Sequence, residues 1–242
     1  METAGTTAAS PGAKGETRRV ELDRAEQTLT RRMAESKATI PHTYLRATVD
    51  MTRAVEIRGA FAAAAAAGEP EPSTADMVVK AVALALREHP RANGSYRGGE
   101  LELYSRINVG IAVTSGESLA VPTIVDANQL SLGEIAAEAR RLAGEVQSGQ
   151  ATAAALAGGT FTVFDLGGFG VRDFDPVIFG GQAGALGVGA VAERPWIREG
   201  GPGKAQLMEV TLACDHRILY GASAAAFLAS IRRNLEEPDR LA

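Results

Sequence analysis

Histidine is the side chain best suited to moving a proton near neutral pH, because its unperturbed pKa lies near ~6.5. The chain has three: His42, His89 and His216. None shows the spacing of a metal-binding pair such as HxxxH, so no metal site is expected. His89 precedes Pro90 at the end of a helical segment and reads as a helix C-terminal cation or a surface residue. His42 follows Ile40 and Pro41 and reads as structural. His216 differs in its surroundings. It lies in LACDHRILYGASAAAFL, between an apolar strand and an apolar helix, with Asp215 and Arg217 on either side. Such a polar triplet is costly to bury unless its groups are satisfied, and it suits the mouth of a cleft. From the residues alone, a general base at His216 and a satisfied structural histidine stand as equal readings. Cys214 shares a strand face with His216. It could form a Cys–His nucleophile pair, but its apolar setting favours packing. Gly184, Gly187 and Gly189 do not open a helix after a first strand, so a dinucleotide fingerprint is unsupported. Gly200 to Lys204 lacks P-loop spacing and fits a hairpin turn. No GxSxG elbow is present.

These groups must be positioned by alternating helices and strands. Residues 23–37 form a first helix, with Leu29 and Met33 on its inner face. Ile40-Pro41 stops it. A strand is expected over residues 44–51. A helix follows over 54–67, its end favoured by six consecutive alanines. Residues 68–72 are a loop. Ser73 caps a helix over 74–87, with Asp76 three residues on. Short strands are expected at 101–104, 109–113 and 120–124. Ser131 opens an amphipathic helix through Val146, with Leu132, Ile135, Ala136, Ala139 and Leu142 on one side. Strands at 160–164, 185–192 and 206–213 precede a last helix over 222–235. Mixed elements without a linker predict a single α/β domain over residues 19–242, behind a disordered tail at 1–18 that carries no apolar face.

Composition excludes several classes. Hydrophobic residues make up 45% and charged residues 22%, which supports a packed core. The net charge of −4 and the lack of any Lys/Arg run longer than two argue against a nucleic-acid or anionic-membrane surface. One cysteine excludes an internal disulfide. No apolar stretch reaches the ~18 residues of a membrane span, and the N-terminus lacks a signal-peptide core. A cytoplasmic location is expected.

LACDHRILYGASAAAFL resembles the DHRxxDG segment of dihydrolipoamide acyltransferases, the inner core of 2-oxo acid dehydrogenase complexes. RRMAESKATIPHTYL, MVVKAVALALREHPRANGSY, VGIAVTSGESLAVPTIVDANQLSLGEIA, GGTFTVFDLGGFGVRDFDPVI and GQAGALGVGAVAERP resemble further segments of that family in the same order. Together they cover about residues 19–240. The resemblance implies the fold of chloramphenicol acetyltransferase, a mixed β-sheet flanked by helices. It also implies a homotrimer with each active site between subunits, and a coenzyme A thioester as acyl donor. The family's histidine is the general base, and His216 matches it. Asp215 and Arg217 are supporting candidates.

Two family positions differ. The Asp four residues after the histidine is Tyr220 here, and the oxyanion serine of the FTxS strand is Phe164. Losing such a donor typically costs ~10²–10³ in rate. Thr162, one face-repeat earlier on that strand, the Tyr220 hydroxyl, a backbone N–H and an ordered water are the candidate substitutes. The short tail leaves no lipoyl lysine on this chain. These departures favour a stand-alone enzyme, similar to those of tetronate-type natural-product pathways. Such an enzyme would acetylate a hydroxyl of a small-molecule or carrier-bound acceptor. The alternatives are the core of a 2-oxo acid dehydrogenase complex, moving acyl groups between dihydrolipoamide and coenzyme A, and a non-catalytic trimeric scaffold.

Overall fold

The computed structural model describes residues 17–64, 70–116, 118–198 and 200–241. Most of the expected tail, and the last alanines of the expected 54–67 helix, lie outside these residues.

Helix α1 (Arg24–Thr39) leads into strand β1 (His42–Asp50), followed by α2 (Thr52–Ala64) and α3 (Thr74–Glu88). Short strands β2 (Gly94–Arg97), β3 (Glu100–Leu103), β4 (Val109–Ile111), β5 (Val113–Ser115), β6 (Ser118–Ala120) and β7 (Thr123–Ile124) precede α4 (Leu132–Gln147). Strands β8 (Phe161–Asp165), β9 (Gly184–Val188), β10 (Ala192–Arg198) and β11 (Gly201–Asp215) lead to α5 (Gly221–Glu236).

The helix starts follow from their caps. Ser73 accepts from the Asp76 N–H while the Asp76 carboxylate accepts from the Ser73 N–H. Ser131 and Glu134 repeat that reciprocal pair on α4. Asp23 and Glu26 do so on α1.

One seven-stranded sheet runs β1-β11-β9-β8-β4-β7, with β10 paired to the first half of β11. The β4–β8 and β8–β9 pairs are parallel, and the rest are antiparallel. This is the expected mixed α/β class. Two expected strands are each divided. Ala112 separates β4 from β5, donating to Val163 O, and Pro122 separates β6 from β7. Strands β2 and β10 were not anticipated.

The two faces of the sheet are covered differently. Phe161, Val163, Leu186, Val210, Leu212 and Cys214 join the core that includes Met77, Val78, Ile135, Phe227 and Ile231 of α3, α4 and α5. On the opposite face, residues 166–183 form a long crossover that lies against the strands. Here a Cβ at Gly189 would sit 1.8 Å from Arg172 O, so only glycine permits that approach. Ser36 Oγ of α1 donates to Ile178 O in this segment. Leu29 and Met33, the expected inner face of α1, are only half-buried.

Candidate active site

Strand β11 ends where its pairing with β1 ends, at His42 opposite Asp215. Asp215 is 1% exposed. Its carboxylate accepts from Arg217 Nε at 2.9 Å, Arg217 Nη2 at 2.6 Å and the Arg217 N–H at 3.0 Å. This fork satisfies a charge that would otherwise be costly to bury, and the Asp215 hydrogen bond holds the Arg217 pKa above its usual value. Arg217 also lies 4.2 Å from the ring centroid of Tyr96 on β2. Between the ion-paired residues, His216 turns outward and is exposed, its N–H donating to Pro41 O. The buried fork therefore anchors the turn and leaves the imidazole free for solvent or substrate. Cys214 stays in the core, its thiol pushed up to about 12 by burial, so it is packing and not a nucleophile.

Tyr220 is 53% exposed and stands at the N-cap of α5. Its ring meets the His216 ring edge to face, with centroids 6.2 Å apart. Its hydroxyl donates to Arg217 O at 3.1 Å. Arg91, from the 3-10 turn Pro90–Ala92 after α3, lies 5.7 Å from the same ring.

The second candidate group sits on β8. Thr162 and Phe164 point away from the helices, alternating with buried Phe161 and Val163. Thr162 is fully buried and its hydroxyl donates to Gln182 Oε1 at 2.8 Å. The hydroxyl is thus already committed, which weakens it as an oxyanion donor. The Tyr220 hydroxyl is likewise engaged with the main chain. Phe164 is half-buried and stacks on Phe179 of the crossover, with centroids 6.0 Å apart and planes within 4°.

The structure does not bring the two groups together in one chain. Phe164 lies opposite Gly187, and Gly187 lies opposite Thr211 of β11. His216 is further along that strand by roughly 15 Å at the usual strand rise.

His42 proves structural. Its Nε2 accepts from the Ile178 N–H and its Nδ1 is 2.9 Å from Ile40 O. Burial lowers its pKa. His89 Nε2 is 2.8 Å from Ser230 Oγ, tying α3 to α5. Among the described residues, no group of three or more His, Cys, Asp or Glu side chains could hold a metal ion, and no helix is long and apolar enough to cross a membrane. Sequence reasoning missed Arg91, Tyr96, Phe179 and Gln182, because no local spacing links them to the residues they contact.

Residues 14–242 match the family model described as 2-oxoacid dehydrogenases acyltransferase (catalytic domain). Curated relatives include the dihydrolipoyllysine-residue acetyltransferase component of the pyruvate dehydrogenase complex of Zymomonas mobilis, 31% identical over 219 residues. That match covers 90% of this chain and 50% of the relative. The mitochondrial component 3 of Arabidopsis thaliana is 37% identical over 212 residues, covering 86% and 39%. The chain spans about half the length or less of the curated relatives it matches.

Among solved structures, a probable dihydrolipoamide acetyltransferase from Listeria monocytogenes gives a TM-score of 0.86 at 32% identity, covering 91% of this chain and 95% of that one. The dihydrolipoamide acetyltransferase of Azotobacter vinelandii gives 0.90 at 26% identity, covering 99% of both chains. That structure concerns the role of a serine, a histidine and an asparagine in the catalytic mechanism. Its serine and asparagine stand at the same offsets from its histidine as Phe164 and Tyr220 do from His216.

Proposed function

The chain belongs to the 2-oxoacid dehydrogenase acyltransferase family, and on that footing we propose that it moves an acyl group between coenzyme A and the thiol of a dihydrolipoyl group, with His216 as general base. The observation that carries this reading is an exposed imidazole on a strand-end turn that the buried Asp215–Arg217 fork anchors. The neutral ring takes the proton of the attacking thiol. The thiolate adds to the thioester carbonyl, and the tetrahedral oxyanion collapses with loss of the coenzyme A thiolate. The imidazolium then returns its proton to that thiolate.

Phe164 stands where a serine hydroxyl would face the oxyanion, so transfer runs without that donor. The site is completed between copies of the chain, with His216 from one and the β8 face from its neighbour, in a trimer. The roughly 15 Å offset of the two groups within one chain and the half-covered inner face of α1 support this. The expected natural-product hydroxyl acceptor has no support among the relatives, which act by name on a dihydrolipoyllysine residue. The dihydrolipoyl reading replaces it. An exposed, well-anchored His216 speaks against a scaffold without chemistry.

The test is acetyl transfer from acetyl-CoA to dihydrolipoamide. His216→Ala should lower it by orders of magnitude with an unchanged unfolding midpoint. Near wild-type transfer by that variant removes the reading, and a monodisperse monomer at micromolar concentration removes the shared site.

A further inference from the structure

A general base works only if its ring is held in one productive orientation. Among the described residues no hydrogen bond holds the His216 imidazole, and the Tyr220 ring packs against it edge to face. Tyr220 is itself exposed, yet it is held on two sides. Its hydroxyl donates to Arg217 O, and the Arg91 guanidinium covers its ring at 5.7 Å. Arg91 is fixed in turn, because its Nε and Nη2 donate to Ile218 O at 3.1 and 3.0 Å. It has no carboxylate partner among the described residues. Among the described residues its anchors are thus the main chain of the His216 turn and the face of Tyr220.

We infer that Arg91 is a positioning residue: through Tyr220 it fixes the orientation of the His216 imidazole. This rests on His216 being the base. The chain Arg91–Tyr220–His216 is a stack in which a cation braces an aromatic ring and that ring's partner is the base. Tyr220 thereby supplies by ring contact the restraint that a short polar side chain at its position would supply by hydrogen bonding. Edge-to-face and cation–π contacts at partly exposed sites each correspond to a factor of about two to ten in an equilibrium, and that is the size of effect to look for in kcat.

The experiment measures kcat and the KM for acetyl-CoA in transfer to dihydrolipoamide. Arg91→Met and Tyr220→Leu should each lower kcat about three- to tenfold while KM stays within about twofold. Tyr220→Phe keeps the ring and should stay within about twofold of the wild type. Arg91→Lys keeps a cation over the ring and should recover part of the loss. The Arg91→Met/Tyr220→Leu double variant should be no slower than the slower single variant, since both break one relay. Wild-type kcat in Arg91→Met, losses that multiply in the double variant, an effect carried by KM, or no recovery in Arg91→Lys would each overturn the inference. If Arg91→Met is unfolded at the assay temperature, Arg91→Gln decides. It can still donate to Ile218 O but places no charge over the ring, so a kcat equal to wild type counts against the relay and a reduced one supports it. Loss of transfer in His216→Ala beside unchanged Arg91 variants sinks the relay alone. Retained transfer in His216→Ala sinks the base assignment beneath it.

Discussion

Phe164→Ser should increase acetyl transfer to dihydrolipoamide. The substitution places a hydroxyl on the β8 face that carries Thr162, at the serine's offset from the histidine in the Azotobacter vinelandii enzyme. One oriented donor to an oxyanion contributes about 10²–10³ in rate. The substitution also removes a ring stacked 6.0 Å from Phe179. The aromatic pair and the lost half-burial together cost about 2 kcal/mol of stability, which for a domain of this size lowers the unfolding midpoint by roughly 4–8 °C. The room vacated by the ring is the same in Phe164→Ala, so the ratio of the two variants isolates the hydroxyl. Measured with acetyl-CoA and dihydrolipoamide below both midpoints, Phe164→Ser should exceed Phe164→Ala by a factor on the order of 10² in kcat. Equal rates in the two variants would refute the oxyanion reasoning, because the hydroxyl would then be doing nothing at that position.

Arg217→Met leaves the Asp215 carboxylate buried and, among the described residues, with the main-chain N–H of position 217 alone to accept from. It should cost about 3 kcal/mol, read as a midpoint lowered by roughly 6–12 °C. His42 has a pKa lowered by burial, so the unfolded chain binds its proton more readily. Its contribution is present above about pH 6.5 and lost as pH falls through the folded pKa. Chemical denaturation across pH 7.5 to 5 should show that loss in the wild type and a smaller one in His42→Gln. Asp165 has a pKa raised by burial, against one hydrogen bond from the Gly167 N–H. Between the unfolded and folded pKa values the native chain keeps a proton that the unfolded chain has released, so stability declines as pH rises from the one through the other. Asp165→Asn should therefore raise the midpoint at pH 7, and the gain should vanish near pH 3. A midpoint shift that is the same at both pH values would remove this account.

The helix starts and the His216 turn were legible because each is written in neighbouring residues. Ser73 with Asp76, and Ser131 with Glu134, are complete capping signals within one turn. Asp215 and Arg217 form their fork across His216, two residues apart. Strand β10 was missed because Pro195 sits inside it, and proline usually argues against a strand. Here it is tolerated opposite Lys204, on a strand paired only to β11. The bracing of His216 was illegible for a different reason. Arg91 is 127 residues from Ile218 in sequence, and neither residue type signals the other. Likewise, Thr162 reads as a spare hydroxyl until Gln182, 20 residues away, is seen to accept from it.

The pairing of β1 with β11 joins the first strand of the described residues to the last. At ribosomal rates of about 5–20 residues per second, β1 waits roughly ten seconds or more before residues 207–215 emerge to pair with it. Throughout that interval the hydrogen-bonding edge of β1 is open to other nascent chains. The closure entropy of so distant a contact also falls late, after β8 and β9 can already meet. His216 N–H donates to Pro41 O at that closure, so the His216 turn takes its place only when β1 and β11 have paired. A nascent chain that has not yet released residues 207–215 lacks that turn.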